Sequence, residues 1–298
     1  MIEHWLSPNK TDYVWCADGD NIIPWATEQL NNKDTLLITI GDSWTWGNKL
    51  GKSDPIKSID DLEFRLANVF GGQLSNKLNS DWINIAAPGS PNEWMIMHFN
   101  RLGELAQSSN VFDHYKKIYV VITLTEVGRD PVPPEIKPAD IKTIDDILMA
   151  FENIQFNKIK KTIKQFDNRF KILVGSTYTD HYKQNTVVLE NNYLDKNWCD
   201  LIWAESTSAQ YKNDVRGLHI PGDYLKKYIS DNKLNTGNFK KSVIDLLDAA
   251  INRLDFLDAS PYNIPWTVNE SQAPIRNYPN SVAHGFWANY VYNKLTEE

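Results

Sequence analysis

Short apolar runs alternate with longer amphipathic segments over the first part of the chain. The runs are rich in Ile, Val and Leu, as buried strands are, and they occupy residues 35–40, 82–86, 117–124 and 169–175. The segments at 61–78 and 145–166 have the apolar spacing of amphipathic helices. Because strands that are joined by helices pair in parallel, the pattern predicts an α/β fold with a central parallel sheet.

The remainder of the chain has a less regular pattern. It predicts a short strand or turn at 197–204 and helices at 222–230, 238–257 and 280–295. Residues 259–279 contain several prolines and are expected to form an irregular approach to the last helix. Residues 1–34 are an aromatic-rich lead-in that is expected to pack on the domain, and residues 35–298 make up that domain with its C-terminal elaborations.

Composition narrows the classes of function. With 298 residues, 42% of them hydrophobic, the chain can bury a sizeable core. Its net charge of -7 argues against a nucleic-acid surface, and its basic cluster at 158–164 is expected to be the solvated face of a helix. The two cysteines, Cys16 and Cys199, are too few for a disulfide framework and are not spaced for zinc. We therefore expect neither a metal ion nor a cofactor.

The N-terminal residues bear on where the protein works. Acidic and polar residues stand at positions 1–10, where a signal peptide needs an apolar core. No apolar run approaches the roughly 20 residues of a membrane helix. The expectation is a soluble, cytoplasmic protein with no membrane partner.

Candidate chemistry stands out at the end of the first strand, where the chain reads Gly41-Asp42-Ser43. A glycine permits a sharp exit from the strand, and the carboxyl edge of an open α/β sheet is where such folds bind ligands. Ser43 is therefore a candidate nucleophile. The alternative is that Asp42 and Ser43 only form a turn or cap a helix, as both residue types often do.

A second polar loop, residues 87–92, follows the second strand and contains Gly89 and Asn92. With the first loop, it resembles the SGNH (GDSL-like) hydrolase superfamily, and in particular a branch found in bacteriophages and bacteria. That branch has an aromatic residue after the serine and a Gly-x-x-Asn loop. The resemblance implies a three-layer α/β/α, flavodoxin-like fold, with Ser43 as nucleophile and Gly89 as the first oxyanion glycine. It covers residues 35–129 well and the C-terminal block loosely.

The third strand ends in a loop that departs from most of the superfamily. Most members carry Gly-x-Asn-Asp there, whereas this chain has Thr-Glu-x-x-Arg, with Glu126 and Arg129, as the phage-type branch does. Asn92 can supply the missing side-chain amide, or it can be a turn former. Arg129 can bind an anionic group of the substrate, or it can pair with Glu126.

The C-terminal block departs further. The family has Asp-x-x-His-Pro before its last helix, and aligning Pro279 with the family proline puts Tyr278 in the catalytic histidine position and Ile275 in that of the aspartate. His284 then matches a second, non-catalytic histidine. An unassisted serine hydroxyl is a poor nucleophile, so a base is needed from elsewhere. His284 is the first candidate; otherwise it caps or packs the helix. His219 and His181 come next, although each is expected to be structural or exposed.

The family suggests a substrate. Trp44 and Trp46 flank the Ser43 turn, and flat aromatic faces stack on sugars, although tryptophans are more often core residues. The resemblance implies an ester hydrolase that removes an acetyl or other short acyl group, with a small molecule or a glycan as substrate. The alternative is a catalytically inactive relative that binds a glycan or is a structural component, associated with a phage particle.

Overall fold

The computed structural model describes residues 32–47, 50, 59–125, 127–137, 141, 144–177, 181–198, 201, 266–268, 274–279 and 281–297. A four-stranded parallel sheet lies at its centre, in the order β2-β1-β3-β4. The strands are β1 (Thr35–Gly41), β2 (Asp81–Ala86), β3 (Lys117–Leu124) and β4 (Phe170–Ser176). The predicted α/β fold with a central parallel sheet is confirmed.

The helices largely follow the amphipathic segments. They are α1 (Ser43–Trp46), α2 (Ile59–Asn68), α3 (Phe70–Leu78), α4 (Asn92–Ser108), α5 (Ile144–Ile163), α6 (Lys183–Thr186) and α7 (Ser281–Thr296). Short 3-10 helices occupy Val127–Arg129 and Val187–Asn192. The helix predicted at 61–78 is two helices, because the backbone of Val69 is extended. Helix α4 was not predicted from the pattern.

Two apolar clusters cover the two faces of the sheet. Side chains of β1 alternate between them, since Ile38 belongs to one cluster and Leu37 to the other. Helices α4 and α5 supply Phe99 and Phe156 to the first cluster, whereas α3 and α7 supply residues such as Trp287 to the second. The described part of the chain therefore has three layers, with helices on both faces of the sheet.

All four strands end at the same edge of the sheet. Gly41 of β1 is opposite Ala86 of β2 and Thr123 of β3, and Thr123 is opposite Gly175 of β4. The loops that follow these strands therefore emerge side by side at the carboxyl edge. In the order β2-β1-β3-β4, the connections reverse direction beside β1, which is where such folds form a crevice.

The prediction that residues 259–279 are irregular is wrong for part of that stretch. Strands β5 (Trp266–Val268) and β6 (Pro274–Pro279) pair in an antiparallel fashion there. Prolines are tolerated because they stand at the two ends of β6, where a missing N–H does not break a central ladder. The helices expected at 222–230 and 238–257, and most of 197–204, lie outside the described residues.

The lead-in is described only from residue 32 onward. The backbone amides of Asn32 and Lys33 both donate to Asp81 Oδ2, at 3.0 and 3.4 Å, and Tyr115 Oη donates to the same oxygen at 3.0 Å. The division into a lead-in at 1–34 and a domain at 35–298 stays a prediction. Among the described helices, none combines the length and apolar character needed to cross a membrane.

Candidate active site

Ser43 is the first residue of α1, immediately after β1. Asp42 caps this helix, since its Oδ1 accepts from the Trp44 backbone amide at 3.0 Å. The helix ends after four residues at Gly47, whose positive φ of 78° closes the turn. Asp42 therefore forms the helix cap that was the alternative prediction. Ser43 nevertheless lies at the carboxyl edge of the sheet, with 7% of its surface exposed.

Gly41 is required by the close return of α1 over the end of β1. A Cβ atom at this position would lie 2.0 Å from Thr45 Oγ1 and 2.6 Å from Thr45 Cβ. Rotation of the Thr45 side chain can move Oγ1 but not Cβ. The missing side chain of Gly41 thus sets the position of the helix that begins with Ser43.

The loop that contains Gly89 is bound to the end of β1. The Ala87 amide donates to the Gly41 carbonyl at 3.2 Å, and the Ser90 amide and hydroxyl donate to the Ala87 carbonyl at 3.1 and 2.7 Å. Gly89 has a φ of 77°, which disfavours any side chain. A Cβ atom there would have no other atom within 4 Å, so the backbone of Gly89 borders open space.

Arg129 lies beside the turn that contains Ser43. Its Nη1 atom is 3.6 Å from Oδ2 of the fully buried Asp42, and 32% of the Arg129 side chain is exposed. This ion pair joins the loop after β3 to the loop after β1. Glu126, the other partner weighed for Arg129, lies outside the described residues.

Asn92 is fully buried, and its side chain pairs with the backbone of the loop after β3. Its Oδ1 accepts from the Thr125 amide at 2.8 Å, and its Nδ2 donates to the Thr125 carbonyl at 2.9 Å and to Gln155 Oε1 at 3.2 Å. Every hydrogen-bonding atom of this amide is engaged. These contacts favour a structural role over that of an oxyanion donor.

Asp130 accepts hydrogen bonds from the start of α4. Its two carboxylate oxygens accept from the amides of Asn92 (3.2 Å) and Glu93 (2.8 Å), and Oδ2 also accepts from Gln155 Nε2 at 3.0 Å. Burial raises the pKa of Asp130 to about 6, against the lowering effect of these donors. Asp130 therefore holds the first turn of α4 against the loop after β3.

His284 lies in the core, at the start of α7. Its Nδ1 accepts from the backbone amide of Phe70 at 3.2 Å, and its ring packs edge-on against Trp198 with centroids 5.0 Å apart. Complete burial lowers the pKa of His284 to about 3. A histidine whose lone pair already accepts a hydrogen bond, and which resists protonation, is poorly suited to take the Ser43 proton.

His181 has a different environment, in the segment after β4. Its Nδ1 is 2.6 Å from Glu152 Oε1 on helix α5, and both side chains are buried. Its Nε2 is buried without a hydrogen-bond partner. No hydrogen bond to Ser43 Oγ is made by any histidine in the described part of the chain, and His219 lies outside it.

The tryptophans beside Ser43 are core residues. Trp44 is 6% exposed and packs edge-on against Trp198 at 5.4 Å, and the guanidinium of Arg65 lies 5.5 Å from the centre of the Trp46 ring. Both rings are too enclosed to present a flat face to a sugar. This packing favours the structural interpretation weighed for them.

The C-terminal block forms a strand followed by a helix. Ile275 and Tyr278 both belong to β6, which ends just before α7 begins at Ser281.

Among the described residues, no group of three or more His, Cys, Asp or Glu side chains is arranged to hold a metal ion.

Sequence reasoning missed Asp130, Glu152 and Gln155. Glu152 and Gln155 are fully buried on α5, between Phe151 and Phe156 of its apolar face. Polar residues on the apolar face of an amphipathic helix are a visible signal, since burying them requires partners. The partners come from distant loops, which the sequence pattern does not identify.

No protein-family model matches the sequence, and no curated protein matches it significantly. Solved structures resemble it distantly. They include a carbohydrate esterase family 2 enzyme with a carbohydrate-binding domain from Corynascus thermopiles (Myceliophthora fergusii), at 14% identity and a TM-score of 0.38, covering 91% of this chain and 67% of that one. A family two carbohydrate esterase from Clostridium thermocellum, in complex with cellohexaose, has 11% identity and a TM-score of 0.35, covering 88% and 63%.

A variant of an acetyl-xylooligosaccharide esterase from Geobacillus has 10% identity and a TM-score of 0.34, with 89% of this chain and 94% of that chain covered. The chain thus spans under two thirds of the Clostridium protein. At such identities and TM-scores, no residue correspondence and no activity is transferred from these proteins.

Replacing Gly41 with alanine is expected to displace α1, because the added Cβ meets Thr45 Cβ at 2.6 Å. We expect a loss of about 1–3 kcal/mol in the free energy of unfolding, measured by urea denaturation. Gly285→Ala is the matched control, since Gln73 Oε1 at 3.0 Å is its nearest neighbour. Thr45→Gly should partly restore the Gly41→Ala variant; an unaffected Gly41→Ala protein would contradict this account.

The raised pKa of Asp130 predicts a pH dependence of stability. The folded protein binds this proton more tightly than the unfolded chain, whose Asp pKa is near 3.8. The contribution of Asp130 to the free energy of unfolding should therefore rise as pH falls from about 6 to about 4. In urea denaturation across this range, the free energy of unfolding of the parent should increase relative to that of Asp130→Asn as the pH falls. A constant difference between the two proteins would show that the Asp130 pKa is not raised.

Proposed function

We propose that this protein is a serine ester hydrolase that removes an acetyl or other short acyl group, with Ser43 as nucleophile. The observation that carries the proposal is the position of Ser43 at the carboxyl edge of β1, beside a Gly89 loop that is bound to the Gly41 carbonyl. Gly89 borders open space with a backbone that only glycine readily adopts. This arrangement suits attack on a carbonyl next to backbone amide donors.

In the proposed reaction, Ser43 Oγ attacks the ester carbonyl and a histidine takes its proton. The backbone amides of Ser43 and Gly89 are proposed to stabilise the oxyanion. The alcohol leaves with the proton from the histidine, and water then releases the acyl group as the carboxylic acid. Arg129, which is partly exposed beside Asp42, is proposed to contact the substrate. Glu126, in the same loop, is also proposed to contact the substrate. A glycan ester is the proposed substrate class, in keeping with the SGNH resemblance of the sequence.

A second candidate is a catalytically inactive relative that binds a glycan or forms part of a phage particle. It is favoured by the sequence position of Tyr278, which stands where the family has its histidine. A tyrosine with an ordinary pKa near 10 is protonated at neutral pH and is a poor base. The buried His284 does not make up for this loss.

Ser43→Ala tests the first candidate. The variant should lose hydrolysis of p-nitrophenyl acetate and of an acetylated oligosaccharide by at least about 1000-fold, because the nucleophile is gone. Ser108→Ala is a suitable control, since Ser108 is exposed at the far end of α4, where its Oγ donates to the Glu104 carbonyl. Circular dichroism should show that both variants stay folded. Equal turnover by Ser43→Ala and the parent would place the activity elsewhere.

Restoring the family pair tests the second candidate. If the parent is inactive, Tyr278→His combined with Ile275→Asp should create measurable esterase activity, since it supplies an acid-histidine pair at the family positions. Each single substitution is the control, because neither provides the pair. An active parent whose rate the double substitution does not change would count against the inactive relative.

A further inference from the structure

A buried carboxylate stands directly before the proposed nucleophile. Asp42 is fully buried, and its Oδ1 caps α1 by accepting from the Trp44 amide at 3.0 Å. The Asp42 carbonyl accepts from the Trp46 amide at 2.9 Å and so begins the same helix. Ser43 is the residue between the capping side chain and the amide that this side chain binds. A shift of the Asp42 carboxylate would therefore move the backbone that carries Ser43.

The charge of this carboxylate is compensated by a guanidinium. An ionised carboxylate is costly to bury unless it is paired and hydrogen-bonded. Arg129 Nη1 lies 3.6 Å from Asp42 Oδ2, on the side opposite the oxygen that caps α1. The two partners differ in burial, since the Asp42 side chain has no exposed surface whereas 32% of the Arg129 side chain is exposed. Loss of Arg129 would therefore leave a charge in the interior, whereas loss of Asp42 would leave a charge that water can reach.

The loop after β3 holds the backbone of Arg129 on both sides. Val127, in the same 3-10 helix, is 1% exposed and packs in a third apolar cluster with residues of α5 such as Phe151. The amide of Asp130 donates to the Val127 carbonyl at 3.2 Å, and the Asp130 carboxylate accepts from the first two amides of α4. The guanidinium is therefore presented to Asp42 from an anchored backbone.

Consecutive residues of this loop contact two different parts of the proposed site. Arg129 contacts the turn that contains Ser43, through Asp42, whereas Asp130 contacts the start of α4, three residues after Gly89. The nucleophile and the loop with the proposed oxyanion amide are thus fixed relative to each other through one dipeptide. Such alignment matters for the rate, because a displacement of about 1 Å can cost about 100-fold.

We propose that Arg129 is a positioning residue for Ser43 and acts through the carboxylate of Asp42; this rests on the proposed esterase function. The guanidinium compensates the buried charge, the carboxylate holds the first turn of α1, and Ser43 stays aligned with the Gly89 loop. This role differs from a contact between Arg129 and the substrate, because it depends on Asp42 and not on any charge of the substrate. A small neutral reagent should therefore detect it.

The experiment measures how fast Ser43 reacts with diisopropyl fluorophosphate, which is neutral. The Oγ–P bond forms, the P–F bond breaks, fluoride leaves with the electron pair and the Oγ proton passes to solvent. Labelling of the full chain is followed by intact mass, with Ser43→Ala as the blank. We expect the maximal labelling rate of Arg129→Gln to be at least about 10-fold below that of the parent, with the reagent concentration for half-maximal rate unchanged.

Substitutions at both partners distinguish positioning from substrate contact. Arg129→Gln combined with Asp42→Asn should be labelled faster than Arg129→Gln alone, because the Asn oxygen can still accept from the Trp44 amide and no charge is left buried. Asp42→Asn alone should slow labelling less than Arg129→Gln alone, since Arg129 reaches solvent. Arg129→Lys should lie between Arg129→Gln and the parent, because it keeps the charge but not the planar fork. A double variant as slow as Arg129→Gln would overturn the proposal.

Arg169→Gln is the matched control. Arg169 also forms an ion pair with an aspartate, Asp167, at 2.8 Å, but it stands immediately before β4, at the opposite edge of the sheet. This variant should be labelled at the parent rate even if it is less stable, so it separates a loss of stability from a loss of alignment. Labelling of Arg129→Gln at the parent rate would refute the positioning role.

Two measurements need no esterase activity. In urea denaturation, the double-mutant cycle of positions 42 and 129 should give a coupling of at least about 2-fold in the unfolding equilibrium constant. If Arg129→Gln does not fold, Asp42→Asn still serves, because it keeps the cap: the Nε–Hε signal of Arg129 should shift in its 15N NMR spectrum. Absence of both effects would overturn the Arg129 assignment alone. A parent that is never labelled at Ser43 would overturn the esterase proposal, and with it any role of Arg129 in catalysis.

Discussion

The carboxyl edge of the sheet depends on one buried side-chain amide, that of Asn92. It pairs with the amide and carbonyl of Thr125 as a neighbouring peptide would, and it therefore joins the start of α4 to the loop after β3. Asp130 completes the join through the first amides of that helix. Since Gly89 stands three residues before Asn92, and Arg129 next to Asp130 pairs with Asp42, the loops after three strands are held in one arrangement.

Polar contacts and aromatic packing both stabilise the turn that contains Ser43. On the polar side, a fully satisfied network in a low-dielectric interior is rigid, and losing one member leaves several others unpaired. On the opposite side, the Trp198 ring stacks on Trp287 and meets Trp44 and Phe70 edge-on. Packing area therefore explains Trp44, and sugar stacking is not needed to account for it.

Local pattern was enough to predict the four strands of the parallel sheet but not the contacts between their loops. The apolar runs of β1 and β3 are continuous because helices cover both faces of the sheet, and this makes them recognisable from sequence. The hairpin of β5 and β6 was missed because its prolines read as irregular structure. The sequence did not distinguish a turn former from an oxyanion donor at Asn92, because its partner Thr125 is distant in sequence. Burial of Trp44 likewise depends on Trp198, far along the chain.

Histidine chemistry is decided by which ring nitrogen is already occupied, and sequence position does not reveal this. His284 was the first candidate base from the sequence, yet the Phe70 amide occupies its lone pair and burial opposes its protonation. His181 was expected to be structural or exposed, yet a carboxylate binds its protonated nitrogen and its other ring nitrogen has no hydrogen-bond partner. Desolvation raises the cost of an unpaired nitrogen, so the free lone pair of His181 is costly unless another group uses it.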